Sequence, residues 1–129
     1  MGYIAVIVAA VAGFGTGAVW YGAFSRQWMQ ATGRTREEIE ASSDKLPFVI
    51  AFLGSLLAAG LMRHMFVTGD ITGALRCMLY GAGIGAFLVG PWIVLHYAFA
   101  GRPRSLWAID MGHTVAALTV IGLVLGLFY

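Results

Sequence analysis

His96, Asp110 and His113 can exchange protons or hold a cation, and they fall close together in an otherwise apolar part of the sequence. Asp110 and His113 are spaced i, i+3, which puts both on one face of a helix. His96 precedes a break at Gly101, Arg102 and Pro103, so a short connection brings it to a similar depth on the neighbouring antiparallel helix. Tyr97, Trp20 and Tyr21 add O–H and N–H donors near the same level. Three chemistries suit this set. The first is a satisfied polar contact, in which Asp110 accepts from His113, His96, Tyr97 or Trp20 and sets helix register. The second is a proton or cation site, because imidazole changes charge near neutral pH and ionisable groups inside membranes line ion routes. The third is ligation of a metal, haem or chlorin by His96 and His113, whose atoms suit it but whose spacing matches no ligand motif. The residues imply no resident metal or cofactor.

The elements that must position these side chains are membrane spans. The chain has 129 residues, 60% hydrophobic and 11% charged, with a mean hydropathy of +0.82, whereas soluble domains carry roughly 25% charged residues. Four apolar windows cover about 3–24, 46–67, 74–101 and 106–128. Each is long enough, at about 1.5 Å per residue, to cross most or all of a hydrocarbon core of about 30 Å. A barrel would show alternating segments of about ten residues instead of continuous runs rich in Ala and Gly. The expectation is an all-α integral membrane protein, residues 1–129 forming one four-helix transmembrane domain. Asp110 then lies inside the fourth span, where a charge costs up to about 2.5–3.5 kcal/mol near the centre and less at its shallower depth.

Arg26, Arg34, Arg36 and Lys45 lie between the first two spans and Arg102 and Arg104 between the last two, while only Arg63 and Arg76 flank the opposite turn. The positive-inside rule therefore predicts both termini on the non-cytoplasmic side. Arg63 or Arg76 is expected to pair with Asp70 at that turn, with small net value because the pair is partly exposed. Between the first spans, Thr35 with Glu38 makes a capping box for a short amphipathic surface helix, and Pro47 suits the first turn of the next span. The first span lacks the basic n-region of a secretory signal and is expected to be retained, in a bacterial inner membrane. The formal net charge of +2 is too dispersed to form a nucleic-acid face. Cys77 has no second thiol for a disulfide.

Gly13 and Gly17, Gly81 and Gly85, Gly122 and Gly126, and Gly54 with Ala58 form small-xxx-small pairs, which let helix backbones approach closely in lipid. Pro91 cannot donate to Phe87 and should bend the third span. There is no nucleophile elbow, strand-linked phosphate loop or pair of catalytic carboxylates, so no enzyme activity is expected. The leading expectation is a non-catalytic protein acting by helix association, as a homo-oligomer or accessory subunit of a larger membrane complex. The alternative is a small proton- or cation-linked transporter or channel using Asp110, His113 and His96.

The run from Gly17 through Trp20, Tyr21 and Phe24 to Trp28, the segment Ala31 to Glu38, and the late run His96, Tyr97, Phe99, Arg102, Pro103, Leu106, Ile109, Asp110, Gly112 and His113 resemble the family called domain of unknown function 1761. The resemblance covers nearly the whole chain and implies a small four-span membrane protein of the kind found in bacteria and fungi. It implies that Trp20, Tyr21, Phe24, Trp28, Tyr97, Asp110 and Gly112 match the family's pattern. Where members often carry Asn before the tyrosine of the third span, this chain has His96. The family carries no assigned activity.

Overall fold

Without water to satisfy its peptide groups, an apolar chain in lipid satisfies them internally, and each apolar run here does so as a helix. The computed structural model describes residues 2–129. Helix α1 covers Gly2–Ala23, α2 Ser25–Thr32, α3 Arg36–Ala41 and α4 Leu46–Thr68. Then come α5 (Ala74–Ile84), a π-helical turn over Gly85–Val89, α6 (Gly90–Phe99) and α7 (Arg104–Phe128). α1, α4, the continuous α5–π–α6 rod and α7 are each long and apolar enough to cross a membrane. The protein is an all-helical integral membrane protein of four spans.

The connections follow from local chemistry. α2 ends on Gly33 at φ 74°, a left-handed cap whose N–H donates to Met29. Thr35 caps α3 by accepting from the Glu38 N–H, and Pro47 sits in the first turn of α4. The third span stops at Phe99, short of the expected 101. Gly101 turns left-handed at φ 70° and the Arg102 N–H reaches back to the Tyr97 carbonyl. In the first loop, the surface helix is limited to Arg36–Ala41, and α2 adds a separate helix after a bend at Phe24.

α7 is the hub. It packs against α5, α6 and α1, while α4 lies mainly against α1 and touches α7 lightly. No comparable interface joins α1 to α5 or α4 to α5 among the described residues. The spans therefore stand in the order third, fourth, first, second. The tight core sits toward the end that carries both chain termini, where Ala5, Ala9 and Ala10 meet Met62, Phe66, Cys77, Leu118, Ile121 and Leu125. Cys77 is buried there, a free thiol contacting the Ile71 carbonyl.

The small-residue pairs are used largely inside the chain. A Cβ on Gly81 would fall on the Leu118 carbonyl and one on Gly122 on that of Cys77, so α5 and α7 meet backbone to backbone. Gly85 against Val115 and Gly126 against Gly73 extend this seam. Gly13 receives Ile121, and Gly17 receives the His113 ring. Gly54 alone of these glycines has nothing within 4 Å. Asp70 turns left-handed at φ 54°. The expected pairing of Asp70 with Arg63 or Arg76 is not made, no ion pair closer than 4.0 Å forming among the described residues. The Arg63 guanidinium instead packs over Gly2.

The third span takes a π turn just before Pro91. The Gly90 N–H donates to Gly85, one residue further back than in an α-helix, which accommodates the missing proline donor. The turn also resets register. At about 100° per residue, Tyr97 in an unbroken helix would stand roughly 160° away from Gly81, and one inserted residue brings it back to roughly 60°. The π turn lets one rod present both its glycine seam and Tyr97 to α7.

Candidate functional site

The polar residues gather toward the opposite end of the bundle, outside the tight core. Asp110 lies about 9 Å along α7 from Arg104 and is the only carboxylate of the spanning helices among the described residues. The Tyr21 hydroxyl of α1 donates to Oδ1 at 2.5 Å. The Tyr97 hydroxyl of α6 donates to Oδ2 at 2.6 Å. One carboxylate thus ties three spans together. Hydrogen bonds to a charged acceptor are the strong ones, and outside water they have little competition.

Neighbouring contacts hold the tyrosines in place. The Trp20 indole N–H donates to the Ile109 carbonyl at 2.9 Å, not to Asp110. Its ring occupies the space left by Gly112, where a Cβ would lie 2.6 Å from the indole. Phe24 packs on the other side of Trp20, with centroids 4.9 Å apart. These contacts fix the last turn of α1, and with it Tyr21. The His113 ring packs against Tyr21 at 4.9 Å between centroids and occupies the gap at Gly17. The Thr114 hydroxyl donates to the Asp110 main-chain carbonyl.

Neither histidine hydrogen-bonds to Asp110. His96 is exposed, 6.3 Å from Trp92 between ring centroids. Both histidines nevertheless line the same cleft as Asp110, a space of about 350 Å³ bounded by Tyr21, Ile93, His96, Tyr97, Asp110, His113 and Thr114. Its walls come from α1 and α6, which both lie on α7 and share at most slight contact with each other. Each carboxylate oxygen accepts one tyrosine proton, leaving lone pairs available toward the cleft. Among the described residues, no group of three His, Cys, Asp or Glu side chains is placed to hold a metal ion.

Two features of the site escape a reading of residue types. The acceptor for Trp20 is a main-chain carbonyl, which leaves no trace in the side-chain pattern. Gly112 serves as the seat of an indole, and only its place next to His113 within the late run hinted at more than helix packing.

The model of a family described as Protein of unknown function (DUF1761) matches residues 4–126. No curated protein and no solved structure matches the chain. The chain belongs to the DUF1761 family.

Proposed function

We propose that this DUF1761 member is a small, non-catalytic membrane protein that carries protons or cations through a site centred on Asp110. The observation behind this reading is the lone intramembrane carboxylate, tied to Tyr21 and Tyr97 yet bordering a cleft with His96 and His113. A carboxylate serving only as a packing contact has no need to border an open cleft, whereas an ion site requires access. In this reading the Asp110 end of the bundle faces the cytoplasm across a bacterial inner membrane, with both termini outside, as the distribution of Arg and Lys predicts. The test is flux in proteoliposomes. Asp110→Asn should abolish a pH-dependent cation or proton flux shown by the parent chain; unchanged flux in the variant, or none in the parent, counts against the reading.

A second reading, association with a second copy of the chain, is favoured by one observation. The Leu46–Leu57 half of α4 is largely exposed, and Gly54 opens onto it with no neighbour. A close helix–helix contact there needs no side chain to move aside. Native mass spectrometry after extraction into lipid discs tests it, together with an absorbance spectrum. A homo-oligomer that Gly54→Leu disperses supports self-association, a stoichiometric foreign subunit makes the chain an accessory protein, and a Soret band assigns haem to His96 or His113.

A further inference from the structure

We infer that the Asp110 cleft takes an organic ammonium ion, held by aromatic rings as well as by the carboxylate. This rests on the reading of Asp110 as a cation site and narrows the cation to one chemical class.

The donor set disfavours a hard inorganic cation. Calcium takes about six to eight oxygen ligands, and magnesium keeps a near-ideal octahedron. The cleft offers one carboxylate, each oxygen of which already accepts one tyrosine proton and keeps only its remaining lone pair for an ion. The Thr114 hydroxyl is turned to the main-chain carbonyl of Asp110. No third His, Cys, Asp or Glu joins a cluster among the described residues. An ion that must exchange its water shell for oxygens finds too few here.

The walls suit a weakly hydrated cation. Tyr21, Tyr97 and His113 put rings around the carboxylate, and His96 lines the same cleft. Ring faces attract ammonium groups, most strongly where water is scarce, and such ions need no inner shell of oxygens. Size points the same way. The cleft, about 350 Å³ and open on one side, has room for a small organic cation and far exceeds a bare metal ion. Ile93 supplies an apolar wall against which alkyl groups can lie.

The experiment uses tetraethylammonium as the probe and the full chain in phosphatidylcholine nanodiscs, with binding read by calorimetry. Saturable binding is expected that excess sodium does not displace and that Asp110→Asn weakens about tenfold or more. The rings are tested separately from the hydroxyl. Tyr97→Phe should bind within about threefold of the parent, while Tyr97→Leu should weaken binding by about two- to tenfold, the range of a cation–π contact; His96→Ala, which removes part of the cleft wall, should weaken it as well. The His96 side chain is exposed and makes no hydrogen bond, so its variant reports on the cleft without risk to folding. Equal loss in Tyr97→Phe and Tyr97→Leu overturns the aromatic recognition. Absence of tetraethylammonium binding beside an Asp110-dependent flux of protons or metal cations overturns the ammonium class and keeps the cation site. No binding, with no flux that Asp110→Asn alters, overturns both.

Discussion

Asp110 is expensive to place in a span, and the two tyrosine hydroxyls offset that cost. Each should contribute modestly, because interhelical hydrogen bonds in membranes average about 0.6 kcal/mol and reach about 1.7 kcal/mol. Tyr21→Phe and Tyr97→Phe are therefore expected to destabilise the bundle by about 0.5–2 kcal/mol apiece, measured by reversible unfolding in mixed micelles. The double variant should depart from additivity by about 0.5 kcal/mol or more, because both donors share one carboxylate. Strict additivity would mean that the two bonds are independent and that Asp110 does not couple α1 to α6.

At the scale of the helices, close approach decides which glycines matter. Gly81→Ala and Gly122→Ala put a methyl group onto backbone that cannot yield, at Leu118 and Cys77, and should cost about 1–3 kcal/mol each. Gly54→Ala meets nothing within 4 Å and should change monomer stability by less than about 0.5 kcal/mol in the same unfolding assay. A reversed order would mean that the α5–α7 seam is not the main contact. The π turn ahead of Pro91 makes a further demand of the third span. Without it the Gly81–Gly85 face and Tyr97 point different ways, so α7 can engage only one of them. Pro91→Ala, by allowing a regular helix, should turn the Tyr97 ring away from the cleft and lower flux or binding more than it lowers stability.

For the whole molecule, the even number of spans puts both termini at one end of the bundle, and the distribution of Arg and Lys predicts which side of the membrane that is. In a Cys77→Ala background, Thr72→Cys should react with a membrane-impermeant maleimide in intact cells, and Ser42→Cys should react only after permeabilisation. The opposite pattern would put the Asp110 cleft on the outside. The four-span helical class was legible from composition and run length because the energetics of lipid act on every residue of a span. The Thr35 cap and the place of Pro47 were legible as well, since both are chemistry within a single turn. Small-xxx-small spacing marked Gly81, Gly85, Gly122 and Gly126 as contact residues, yet that pattern is identical whether the partner is the next helix or a second copy, and only the tertiary structure assigns them to the α5–α7 seam. The same holds at the site: the residue types placed a carboxylate among aromatic and imidazole groups, while the choice of Tyr21 and Tyr97 as its donors, and of a carbonyl for Trp20, depends on how far each helix is rotated. That rotation comes from a bulge and from contacts distant in the chain, for which local residue preferences carry no information.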